Sequence, residues 1–130
     1  MIYYHVTTHQ NAQKILRYGL KSNEFGQIFV FSAWQIENKN NKDKALICDL
    51  LAYNQLQLEE YAVLKINSKG IESCSIIESD NVGELTAKFQ FIINQKRIDK
   101  KFIKFKDVRF LDSKKIDKLN RFINGFMFKA

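Results

Sequence analysis

The strongest constraint on the fold of this chain is the way its apolar spacing switches between strand and helix periods within the first 33 residues. Ile2-Tyr3-Tyr4-His5-Val6 is aromatic and β-branched, which suits a short strand. The spacing then changes. Ala12, Ile15 and Leu16 fall on one face of a helix running from about Gln10 to Tyr18, with Thr7 or Thr8 as its cap and Gly19 as a left-handed stop. Gln27 to Ala33 returns to strand character, and its unbroken apolar run predicts burial on both faces.

The same alternation continues. Leu46, Ile47, Leu50, Leu51 and Leu58 repeat at helical spacing and predict an amphipathic helix from Lys42 to about Gln57, after a polar loop at Asn38 to Asn41. Tyr61 to Ile66, Ile71 to Ile77, Thr86 to Ile93 and Phe102 to Leu111 read as strands. Turns are expected at Asn67 to Gly70 and from Glu78 to Gly83. Ser113 reads as the cap of a terminal helix that ends at Gly125. Helices set against five or six strands define an α+β domain. No repeat, low-complexity tract or linker divides residues 1–130, so a single domain is expected.

The chain has 130 residues, of which 45% are hydrophobic, including 11 Phe and 5 Tyr, and this is enough apolar material for one core. Its formal net charge of +7 favours anionic partners: nucleic acid, nucleotides or an acidic protein. The densest basic stretch runs from Lys96 and Arg97 through Lys100, Lys101, Lys104 and Lys106 to Arg109, and a plain solvated face would look the same. Cys48 and Cys74 form neither a C-x-x-C pair nor a His/Cys cluster, so reduced structural thiols and no metal site are expected. Met1 leads straight into a strand-like run, and no apolar segment approaches the ~20 residues needed to span a bilayer. A cytoplasmic protein with no membrane partner is the expectation.

There are two histidines, His5 near the end of the first strand and His9 at the start of the following helix. A paired-histidine phosphodiesterase would set two imidazoles across a phosphate as base and acid, which defines one reading, a small basic RNase-like toxin. His9 equally suits a solvent-facing or capping position.

His5 belongs to a longer ordered series. Tyr4-His5-Val6-Thr7-Thr8, Asn11-Ala12, Ile15-Leu16, Gly19-Leu20 and Gly26 to Ser32 together resemble the histidine-type members of the ADP-ribosyltransferase superfamily. In those proteins a first strand carries His followed after one residue by Thr or Ser, a helix ends in Gly-Leu, and a strand with an aromatic and often a terminal Ser follows. Tyr61 to Ile66 resembles the central strand of that fold, and Phe89 to Ile103 its last conserved region. The resemblance spans residues 2 to about 110. It implies antiparallel or mixed β-sheets forming a cleft, with two or three flanking helices.

It also implies NAD as substrate. Cleavage at the nicotinamide bond passes through an oxocarbenium-like state, which calls for ribose and carboxamide partners, an aromatic platform and a stabilising charge. The resemblance implies that His5 donates to a ribose hydroxyl, the main chain of Val6 holds the carboxamide and Thr7 braces the strand end. Phe29 or Phe31 would stack on nicotinamide, although either suits plain core. Ser32 would polarise the catalytic acid, or bond its local backbone.

The departure lies at the catalytic position, where Phe89 or Gln90 stands in place of the usual glutamate, Gln90 being preferred as polar and on the other strand face from Phe89, Phe91 and Ile93; Glu84 is the nearest preceding carboxylate. An amide bonds a ribose hydroxyl but carries no negative charge. Two functions follow from the resemblance. One is an NAD-dependent ADP-ribosyltransferase acting on nucleic acid or protein, as a toxin or phage-conflict factor with an antitoxin partner. The other is an inactive relative binding nucleotide or nucleic acid.

Overall fold

The computed structural model describes residues 2–32, 46–72, 77–79 and 90–127. In chain order these form β1 (Ile2–Thr7), α1 (His9–Tyr18), β2 (Leu20–Lys21), β3 (Ile28–Phe31), α2 (Leu46–Leu50), β4 (Glu60–Asn67), β5 (Ile77–Ser79), β6 (Gln90–Ile93), β7 (Arg97–Ile98), β8 (Ile103–Phe110) and α3 (Ser113–Met127). The fold is α+β. Six strands form one sheet in the order β5-β6-β3-β1-β4-β8, every neighbouring pair antiparallel, and β2 and β7 form a separate two-stranded ribbon.

Both faces of the sheet are covered. Tyr3, Val30, Leu64 and Ile66 pack with Ala12 and Ile15 of α1, whereas Val6, Phe31, Tyr61 and Val63 pack with Leu50 of α2 and Leu119 of α3. Double coverage explains the continuous apolar run of β4, where Tyr61, Ala62, Val63 and Leu64 are all fully buried, each face taking alternate residues, whereas β3 departs from the expected two-sided burial at Phe29, which is exposed. Burying a Leu, Ile, Val or Phe side chain contributes about 1.5–3 kcal/mol, so these two strands anchor the domain.

Helix α1 follows its sequence closely. Thr8 is the cap, its Oγ1 accepting from the Asn11 amide at 3.1 Å, and the chain leaves the helix at Gly19. Gly19 has φ +91°, and a Cβ there would lie 2.8 Å from the Ile98 carbonyl, so both backbone angle and space require glycine.

Four boundaries differ from expectation. The second helix, as far as it is described, is α2 followed by a π-helical turn at Leu51–Gln55; Gln57 turns the chain at φ +56°, and the Leu58 amide reaches back to the Ala52 carbonyl. Residues 77–79, expected partly as turn, form edge strand β5 on β6, because strand pairing overrides their polar composition. Asp112 caps α3 in place of Ser113, its carboxylate accepting from the Lys115 amide at 2.9 Å, and the helix runs past Gly125 to Met127. The segment after Asn94, between two expected strands, supplies β7. Its Arg97-Ile98 pairs with Leu20-Lys21. The expected loop at Asn38 to Asn41, Cys74, Glu84 and Phe89 lie outside the described residues.

Candidate functional site

The segments that carry the resemblance are far apart in sequence, yet β6, β3, β1 and β4 are consecutive neighbours in the sheet. Their pairing is uneven. β1 is registered to β4 along its length, from Ile2↔Asn67 to Thr7↔Ala62, and β3 to β6 over four residues, but among the described residues β1 meets β3 at a single pair, Tyr4↔Phe31. Beyond that pair the ladder stops, and the sheet is joined there by a side chain: His5 Nδ1 lies 2.8 Å from the Phe29 carbonyl.

That contact fixes the state of the imidazole. A carbonyl oxygen only accepts, so Nδ1 carries the hydrogen and, in the neutral ring, Nε2 is an acceptor. Burial lowers the His5 pKa from its ordinary value of 6.5, the Phe29 hydrogen bond opposing this in part. The ring is therefore neutral at pH 7. Between the unfolded and folded pKa values the unfolded chain binds more protons, so stability falls as pH drops below about 6.5. Native protein should lose urea resistance from pH 7 to pH 5, and His5→Gln should lack that component of the loss. An equal slope in the variant would contradict the assignment.

Thr7 braces this strand end. It is buried, and its Oγ1 accepts from Asn11 Nδ2 at 2.8 Å, tying β1 to the first turns of α1. His5 and Thr7 lie opposite Leu64 and Ala62 on the α1 side of the sheet. Val6, Phe31 and Gln90 lie on the other side: Val6 is buried opposite Val63, and Gln90 opposite Phe31. The two sets are separated by the sheet.

Phe31 is 1% exposed and stacked on Tyr4, with ring centroids 5.8 Å apart, so its faces are taken by the core. Phe29, 38% exposed, is the aromatic with free surface. Ser32 follows β3 half-buried. Gln90 is 6% exposed, not solvated. His9 is exposed in the first turn of α1, its Nε2 lying 3.4 Å from the Gln13 amide nitrogen, so each histidine has a separate partner.

Sequence reasoning missed a buried polar cluster beneath the second face. Asp49 on α2 is 1% exposed and receives Arg109 of β8 in two bonds, Nε to Oδ1 at 3.1 Å and Nη2 to Oδ2 at 2.8 Å, while the Tyr61 hydroxyl donates to the same Oδ1. Tyr61 and Arg109 are cross-strand partners. Burial and the Asp49 charge push the Tyr61 phenol up, and the Asp49 hydrogen bond raises the Arg109 pKa. Burial, then Asp49, pushes the Cys48 thiol well up, which makes it an inert nucleophile. The cluster ties α2 to the sheet. The one sequence signal was an aspartate inside the apolar repeat Leu46, Ile47, Leu50, Leu51.

Among the described residues no group of three His, Cys, Asp or Glu is placed to hold a metal ion, and no helix is long and apolar enough to cross a membrane. No family model, curated protein or solved structure matches the chain.

Proposed function

We propose that the protein is an ADP-ribosyltransferase-like protein that binds NAD where β1 and β3 part and acts on nucleic acid or protein. One observation carries this reading: the three motif positions of the resemblance, at His5, Phe31 and Gln90, fall on three adjacent strands, with Phe31 paired directly to Gln90 and to the neighbour of His5. Segments far apart along the chain are thereby adjacent in the sheet, with His5 on one face and Phe31 and Gln90 on the other.

On this reading each side chain takes a part in holding the nicotinamide-ribose half of NAD. His5 offers Nε2, so it would accept from a ribose hydroxyl; the donor role implied by the resemblance would need a protonated ring. Phe29 rather than Phe31 has ring surface for the nicotinamide. Val6 would contribute main-chain groups to the carboxamide, and Thr7, fixed by Asn11, holds the strand end in place. Bound NAD supplies a glycosidic bond whose cleavage builds positive charge on the ribose.

A second reading, binding without efficient turnover, is favoured by Gln90: its amide is neutral, so it lacks the charge that would stabilise that ribose. Incubation with NAD labelled in the ADP-ribose part, together with DNA, RNA and cell lysate, tests the active reading. Label transferred to a macromolecule supports it; NAD binding with no transfer and no nicotinamide release supports the second.

A further inference from the structure

We infer that the β2–β7 ribbon and the turn that follows β2 form a docking surface for single-stranded nucleic acid. In the ribbon, Leu20 and Ile98 pair and are buried, whereas Lys21 pairs with Arg97 and both are exposed. Like charges directly opposite each other across two strands cost stability. Among the described residues no carboxylate forms an ion pair with Lys21, Lys96 or Arg97. Arg97 has a fold role as well, since its Nη2 donates to the Tyr18 carbonyl at the end of α1. Lys21 and Lys96 have none of that kind, and Arg17 adds a further exposed cation over the Tyr18 ring, 5.6 Å from its centroid.

Two exposed aromatic rings flank the ribbon along the chain, Tyr18 at the end of α1 before β2 and Phe25 in the turn after it. Tyr18 is 57% exposed and Phe25 is 75% exposed. Phe25 is not on a loose loop: Asn23 Oδ1 accepts from the Phe25 and Gln27 amides at 2.9 and 3.0 Å, and the Gly26 amide returns to the Asn23 carbonyl at 3.0 Å. Gly26, at φ +73°, completes the turn. The Ser22 amide bonds the Lys96 carbonyl at 2.8 Å, so the chain entering the turn is tied to the basic strand segment.

A large apolar ring held in water by a preordered turn, in the segment tied to cations that have no carboxylate partner among the described residues, has a definite complement: a flexible polyanion that also offers flat apolar faces. Single-stranded nucleic acid has both, because its phosphates meet the cations and its unpaired bases stack on the rings. A duplex keeps its base faces inside the stack, and an acidic peptide has no need of the aromatics. The surface uses none of the residues assigned to NAD, so the inference stands or falls apart from that proposal.

Fluorescence anisotropy with a labelled single strand of about 12 nucleotides, at about 50 mM salt, tests it. Native protein should bind the strand more tightly than a duplex of equal length. Phe25→Ala should weaken single-strand binding by about 5- to 150-fold through loss of one stacked base. Lys21→Glu combined with Lys96→Glu should lower the slope of log affinity against log salt by about 1.4. Both sites are exposed, and circular dichroism should show native folding. No binding at low salt, equal affinity for duplex with no effect of Phe25→Ala, or equal displacement of the strand by polyglutamate would overturn it. Strand binding that persists in a protein with no affinity for NAD would uphold this inference while removing the NAD proposal.

Discussion

Asp49→Ala should lower the unfolding free energy by about 3–5 kcal/mol, seen as a large fall in the urea midpoint. The cost comes from what is left behind rather than from the carboxylate itself. Arg109 loses both acceptors of its bidentate pair, and the buried Tyr61 hydroxyl loses the oxygen to which it donates. Arg109 is 16% exposed and can turn part of its guanidinium to water, so the lower half of the range is expected. Removing both charges with Asp49→Leu and Arg109→Met should cost less than Asp49→Ala alone, because no buried ion is then uncompensated. A double variant as unstable as the single would show that the pair contributes more than mutual compensation. A single variant within about 0.5 kcal/mol of native, the usual surface effect, would contradict the burial of Asp49.

Gln90→Glu should raise the rate of nicotinamide release from NAD by about 100-fold, the scale on which one preorganised electrostatic contact acts. The substitution nearly preserves size but changes charge, and Gln90 is buried against the Phe31 row. A carboxyl in that position is pushed upward by burial. With its folded pKa above its unfolded value, the variant is most stable at low pH and loses stability as pH rises through the range between them. Activity runs the other way, because only the ionised form stabilises the ribose cation. The variant should therefore gain turnover and lose urea resistance together as pH is raised. Native turnover equal to that of the variant at every pH would mean that Gln90 does not face the reacting ribose.

The legible part of the fold was the part written in apolar spacing. β1, α1, β3 and β4 follow from runs and repeats whose period is set by local geometry, and Thr8 and Gly19 mark the limits of α1 as a hydroxyl cap and a positive-φ stop should. The short strands were not legible. Leu20-Lys21, Arg97-Ile98 and Ile77-Glu78-Ser79 carry too few residues for a period and are strands because a partner lies alongside. Asp112 displaced Ser113 as the α3 cap because two adjacent capping residues are equivalent until the first turn is built.

The candidate residues could be named from the sequence, but not where the sheet puts them. Sequence order singled out His5, Phe31 and Gln90, but only pairing shows that Gln90 is opposite Phe31 and that His5 lies on the other face. The tautomer of His5 depends on a carbonyl 24 residues away, which no local pattern encodes. The Asp49 cluster depends on a partner 60 residues away. Long-range polar contacts of this kind leave no periodicity behind.

Calorimetric titration of NAD into native protein and His5→Ala tests the central claim most directly. Native protein should bind, and His5→Ala should lose about 1–3 kcal/mol of binding free energy, the usual consequence of removing one partner of a buried hydrogen bond. Thermal unfolding of the variant should remain cooperative, since His5 is half-buried and belongs to neither core cluster. No heat of binding from native protein, or an affinity unchanged in folded His5→Ala, would contradict NAD binding where β1 and β3 part.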